Sequence, residues 1–124
     1  MSSIQSDEAL YELLARAGDK IAFAAGEVVF EKGTRGDSVF ILASGSIALT
    51  DGERTLDTVA APGLFGEMAL IESQPRALTA TAHTDAELVE LPARRFWVLV
   101  NDTPYFAQLV MRVMAERLRR ATGT

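Results

Sequence analysis

The sequence contains no cysteine. That excludes disulfides, thiolate nucleophiles and cysteine-bound metals. The absence is compatible with a reducing cytosol, and a cytoplasmic location is expected. There is one histidine, His83. A metal centre would have to rest almost entirely on carboxylates. A serine nucleophile would find only His83 as its base, and no serine stands in a nucleophile-elbow pattern. No catalytic constellation, metal or cofactor is expected, so the chain reads as a non-enzyme. Apolar runs are short. None approaches the about 20 residues of a membrane-spanning helix, and a basic-then-apolar leader is missing, so no membrane partner is expected. Basic side chains are the minority, 12 Lys and Arg against 17 Asp and Glu, for a net charge of −5. Direct nucleic-acid binding depends on neutralising phosphates and is not expected of such a chain.

What is present is a chain of 124 residues, 48% hydrophobic, which suits one folded domain over 1–124. Asp7-Glu8 precedes apolar residues at helical spacing, and Ser6 is a candidate N-cap; a helix is expected over about 6–17, ended by Gly18. From about 20 to 92 the pattern changes to short β-favouring runs. These are Ile21–Phe23, Val28–Phe30, Val39–Leu42, Ile47–Leu49, Leu56–Val59, Thr79–Ala82 and Glu87–Leu91. Gly, Pro, Asp and Ser punctuate them, with Pro62-Gly63 read as one such turn, and Asp51-Gly52 is the clearest hairpin signal. The segment Gly33–Gly36 lacks a Gly-Lys-Ser/Thr ending and reads as a wide hairpin turn. Helical periodicity returns over about 93–101 and 104–121, with Thr103 as cap and Pro104 at the first helical position. The fold class is mainly β with flanking helices: an antiparallel β-roll or jelly-roll barrel with an N-terminal helix, a short internal helix and two C-terminal helices.

The internal helix lies in Phe65-Gly66-Glu67-Met68-Ala69-Leu70, followed by Pro75-Arg76-Ala77-Leu78-Thr79-Ala80. A glycine lets backbone approach a ligand, amides freed at a helix start attract an anion, and a guanidinium facing them adds a charged partner. Glu67 would repel a bare phosphate. The pair Glu67 and Arg76 therefore suits a ligand with a phosphate on one edge and a hydroxyl donor on the other. Each residue alone also has an ordinary reading, as a helix-start carboxylate and a surface arginine. Arg94-Arg95 and Arg117, Arg119 and Arg120 read as solvated helix faces, while Phe96, Trp97, Leu99 and Val100 read as packing on the barrel.

Phe65–Ile71, Pro75-Arg76-Ala77, Thr79 and Ala82 closely resemble the phosphate-binding cassette, over 65–82, of cyclic nucleotide-binding domains. That family includes catabolite activator proteins, regulatory subunits of cAMP-dependent protein kinase and cyclic nucleotide-gated channels. Gly33–Ser38, Phe40–Leu42 and Ser44–Ile47 look like the family's early hairpins. The resemblance implies a non-enzymatic sensor of a 3′,5′-cyclic nucleotide. It gives Arg76 the exocyclic phosphate oxygens and Glu67 the ribose 2′-hydroxyl. Gly66, Met68 and Ala69 line the phosphate and sugar, and Ala77 flanks the phosphate through its backbone. Leu49 and Leu56 are implied to pack the base, with Arg117, Arg120 or Ala121 capping it. Leu78 replaces the family's usual alanine. Ala77 stands where cGMP-selective members often carry threonine, which favours cAMP without by itself rejecting cGMP.

The resemblance also implies a switch in which the last two helices close as a lid. The final helix carries Phe106, Leu109, Val110, Val113, Met114 and Leu118 on one stripe, widened by Met111, so a homodimer through it is a further expectation. Nothing in the sequence names a downstream effector. The alternatives are the sensor half of a larger transcription factor or channel, or a ligand-free interaction barrel.

Overall fold

The computed structural model describes residues 7–123. In chain order these form α1 (Asp7–Arg16), β1 (Lys20–Phe23), β2 (Val28–Phe30), β3 (Ser38–Ser44), β4 (Ser46–Asp51), β5 (Arg54–Ala60) and β6 (Gly63–Phe65). There follow α2 (Glu67–Glu72), β7 (Thr79–Ala82), β8 (Ala86–Pro92), α3 (Ala93–Asp102) and α4 (Pro104–Thr122). The strands make two antiparallel sheets, ordered β1-β8-β3-β6 and β2-β7-β4-β5. This is the antiparallel roll with flanking helices that the strand and turn pattern suggests.

Strand β3 shows why the core divides in two. Its side chains alternate between faces, as in any strand, yet Ser38 through Leu42 are all buried. Phe40 and Leu42 point between the sheets, into a cluster with Ile47, Leu49, Val59, Phe65, Ala80, Ala82, Ala86 and Leu88. Val39 and Ile41 point the other way, into a cluster with Leu10, Tyr11 and Leu14 of α1 and with Phe96, Phe106, Leu109 and Val110 of α3 and α4. The unbroken apolar run Val39–Leu42 is thus a strand covered on both sides. Phe96 and Phe106 are fully buried and meet edge-on at 5.6 Å; burying each ring contributes about 1.5–3 kcal/mol. Trp97 touches Phe96 at 5.0 Å but remains 39% exposed, so it packs less fully than its spacing suggests.

The structure revises several local expectations. Gly63, read with Pro62 as a turn, instead opens a buried three-residue strand, Gly63–Phe65, paired with β3. Its brevity and its leading Pro-Gly hid it. Gly33–Gly36 does not close a hairpin, because β2 pairs with β7 whereas β3 pairs with β6 and β8 in the other sheet. The same is true at Gly45, where the chain passes from β3 in one sheet to β4 in the other. The hairpin at Asp51-Gly52 does form, joining β4 to β5. Thr103 makes no side-chain cap for α4; its carbonyl accepts from Phe106 and Ala107 instead. Helix α4 runs on through Thr122, one residue past the expected end, where Gly123 in a left-handed conformation returns its N–H to the Arg119 carbonyl. Ser6, the expected cap of α1, lies outside the described residues.

Candidate functional site

A cavity of about 530 Å³ opens between α2, the β4–β5 hairpin and the second half of α4, a size ordinary for small-molecule sites. Gly66, Glu67, Met68, Ala69, Arg76, Ala77, Leu49, Leu56 and Arg117 all line it, as do Arg120 and Ala121. Leu49 is a buried wall, whereas Leu56 and Met68 are nearly half exposed at its edge. Sequence reasoning missed Phe30, Asp57, Met114, Ala115 and Leu118, which also line it. Leu78 lines it too and packs against the inner cluster, so the bulkier side chain is absorbed where β7 begins.

Arg76 is positioned from both backbone and side chain. Its amide donates to the Thr34 carbonyl and its own carbonyl accepts from Gly33, both at 2.8 Å. The Gly33–Gly36 segment is therefore a wall of the site. A side chain at Gly36 would collide with Ala69 and crowd Arg76, which is the close approach that requires glycine there. The Arg76 guanidinium lies 4.0 Å above the Phe30 ring, on a floor completed by Phe40 and Phe65. Nη1 donates to the Gly66 carbonyl at 2.8 Å and Nη2 to the Ser38 carbonyl at 2.7 Å.

Arg76 is 5% exposed. Among the described residues no carboxylate comes within 4 Å of it, and its Nε has no hydrogen-bond partner. Burial pulls its pKa below the usual arginine range, against the more distant charges of Asp37, Glu90 and Glu67. A buried cation without a counter-ion is costly, and an anion at the cavity floor would relieve that cost.

Glu67 begins α2 and is fully buried. Gly66 precedes it at φ 85°, a conformation suited to glycine, and an added Cβ would lie 2.9 Å from Arg76 Nη1. Glu67 Oε2 accepts from Arg117 Nη1 at 2.5 Å, and Oε1 has no partner among the described residues. Arg117 is thus neither a solvated surface residue nor simply a cap. Its Nη2 donates to the Leu64 carbonyl, and its Nε lies 3.4 Å from Asp57 Oδ2. Arg120 Nη2 donates to the same Asp57 oxygen at 3.1 Å. The helix α4 is therefore held in two ways. Its first half is anchored by Phe106, Leu109 and Val110, its second by arginines reaching to α2 and β5.

Chemically, the cavity wall contains a buried cation whose Nε–H and a buried carboxylate whose Oε1 have no hydrogen-bond partner among the described residues, with a mostly apolar remainder formed by Leu49, Leu56, Met114, Leu118 and Ala121. The arrangement can hold an anion, accept a hydroxyl proton and enclose a flat apolar group.

Comparison with known proteins agrees with that chemistry. The family model described as cyclic nucleotide-binding domain matches residues 20–103. The CRP-like cAMP-activated global transcriptional regulator of Mycobacterium tuberculosis is 32% identical over 136 aligned positions, covering 90% of this chain and 60% of the relative. The solved catabolite activator protein of Thermus thermophilus superposes with a TM-score of 0.76 at 28% identity, over 98% of this chain and 60% of that one. A chain solved in work on a cyclic-GMP-dependent signalling pathway of bacterial phytopathogenesis gives a TM-score of 0.75 at 30% identity, over 95% of this chain and 98% of its own. The chain thus spans about 60% of the length of the mycobacterial regulator. By its sequence and its fold alike, the chain belongs to the cyclic nucleotide-binding domain family.

Proposed function

We propose that the chain senses a 3′,5′-cyclic nucleotide, with cAMP preferred over cGMP, and that it does so without catalysing a reaction. The observation that carries this reading is the juxtaposition of Arg76, buried and without a counter-ion among the described residues, and Glu67, buried with one oxygen that none of them pairs. A cyclic nucleotide presents one phosphate charge for the first and a ribose 2′-hydroxyl for the second. Gly66, Met68 and Ala69 border the sugar and phosphate, Ala77 flanks the phosphate, and Leu49 and Leu56 receive the base. Ala77 offers no hydroxyl to a guanine, which supports the preference for cAMP. The mycobacterial relative, a CRP-like cAMP-activated regulator, points the same way.

The second half of α4 acts as the lid, closing with the cavity because Arg117 and Arg120 end on α2 and β5. Ligand shifts this closure by as much as its affinity differs between the two arrangements, and by no more. Met111, outside the cavity, is 61% exposed on α4, and it marks the face for a homodimer in the cytoplasm. The mycobacterial relative is longer than the matched region, which favours a second element of the reading: the chain is the sensing part of a larger regulator whose output lies elsewhere.

Titration calorimetry with cAMP and cGMP tests the proposal. Saturable one-site binding of cAMP, tighter than that of cGMP, is expected. No heat from either nucleotide at millimolar concentration would overturn it, and equal affinities would remove the preference alone.

A further inference from the structure

Glu67 can accept a ligand hydroxyl only if one of its oxygens stays unpaired, and Arg117 threatens that. A guanidinium beside a carboxylate tends to engage both oxygens at once, as two parallel N–H···O bonds. Here it does not. Only Nη1 reaches Glu67, at Oε2, while Nη2 is taken by the Leu64 carbonyl and Nε, which makes no hydrogen bond among the described residues, lies in ion-pair range of Asp57 Oδ2 at 3.4 Å. Asp57 is itself fixed from two sides. Its Oδ1 accepts from the Thr58 amide at 2.9 Å, and Arg120 Nη2 donates to its Oδ2 at 3.1 Å. The Asp57 side chain is 14% exposed, that of Arg117 15% and that of Glu67 0%, so the exchange of charge partners happens with little water to screen it.

We propose that Asp57 is a positioning residue for ligand recognition: by placing its charge beside the Nε edge of Arg117 it keeps that arginine one-armed on Glu67 and leaves Glu67 Oε1 unpaired for the ribose 2′-hydroxyl. The assignment rests on the cyclic-nucleotide reading and deepens it. Without the Asp57 carboxylate, Arg117 is drawn by its one remaining counter-charge and turns its fork fully onto Glu67, covering both oxygens. The phosphate contacts at Arg76 are untouched by this change. Asp57 thus acts on one edge of the ligand only, through a second residue, from a strand that carries none of the cassette.

The test compares cAMP with 2′-deoxy-cAMP by calorimetry on the full chain. The wild type should bind cAMP at least about 10-fold more tightly than the deoxy analogue, the difference being one charge-assisted hydrogen bond. Asp57→Asn should bring that ratio to within about 2- to 3-fold, because it weakens cAMP well beyond the smaller loss that both nucleotides share as α4 loses its contacts to Asp57. In an Arg117→Gln background, Asp57→Asn should have no further effect on the ratio. A structural role alone would weaken both nucleotides together and preserve the ratio. Asp57→Asn retaining the wild-type ratio therefore overturns the assignment while leaving the proposed function standing. If the wild type bound neither nucleotide, both would fall. Asp57→Ser provides a smaller neutral side chain if the asparagine variant does not fold, and the same collapse of the ratio is expected.

Discussion

Replacing Arg76 with methionine is expected to weaken cAMP binding by about 100- to 1000-fold, some 3–4 kcal/mol, and to leave the ligand-free fold at least as stable as before. Both halves follow from one fact. The guanidinium is buried, stacked on Phe30 and bonded to two backbone carbonyls, but no carboxylate among the described residues balances it. Truncating one partner of a desolvated charge pair costs about 2–5 kcal/mol of binding, and a phosphate left on the Phe30 floor would meet no cation in its place. In the ligand-free protein the balance differs. Methionine keeps most of the length and packs well against aromatic rings. A buried charge replaced by an apolar side chain of similar size is often neutral or stabilising. The Gly66 and Ser38 carbonyls lose donors, which sets the limit of any gain. Denaturant melts and calorimetry on the same sample check the two halves together. A variant that unfolds would show Arg76 to be chiefly structural, and one that binds cAMP normally would remove it from the phosphate site.

Glu67→Gln should act on the other edge. The carboxamide keeps the shape of the side chain but not its charge, so Arg117 loses the stronger of its partners and retains Asp57 and the Leu64 carbonyl. A hydrogen bond to a charged group contributes about 1.5–3 kcal/mol, and a loss of about 2 kcal/mol in unfolding free energy is expected from denaturant melts. The retained partners keep the loss below the full cost of stranding a buried charge. Affinity for cAMP should fall about 10- to 30-fold, because a neutral acceptor replaces a charged one. Affinity for 2′-deoxy-cAMP should hold or improve, since the variant also removes an anion that repels the phosphate. Equal losses for the two nucleotides would show that Glu67 does not meet the 2′-hydroxyl.

The two handles of the site were legible in the chain because their chemistry is local. Gly66 and Glu67 open a short helix, Arg76 follows within ten residues, and the combination resembles one family's cassette. The barrel was legible for a similar reason, since β-favouring runs and turn residues alternate. What stayed hidden depends on residues that meet only in space. Asp57 pairs with Arg120, which lies 63 positions away. Gly33 and Gly36 read as a turn whatever they touch, and nothing local says that Arg76 lies against them. β6 is three residues long and begins with glycine, so it carried neither length nor alternation to betray it.

A weaker signal for the ion-pair cluster was nevertheless present. Asp57 shares a face of β5 with the buried Val59, and Arg117 continues the inward spacing of Phe106, Val110 and Val113 along α4. Two opposite charges on inward faces each call for a buried partner. Taken together they mark where the last helix meets the barrel.

The central claim is that the buried, unbalanced guanidinium of Arg76 is the anchor for a cyclic phosphate. Its Nε–H has no partner among the described residues, so its side-chain nitrogen resonance is the most direct reporter. Titrating isotopically labelled protein with cAMP should move the Arg76 Nε–H signal saturably, in step with binding, and adenosine, which lacks the phosphate, should leave it in place. A cAMP complex that forms while the Arg76 signal stays where it was would contradict the account.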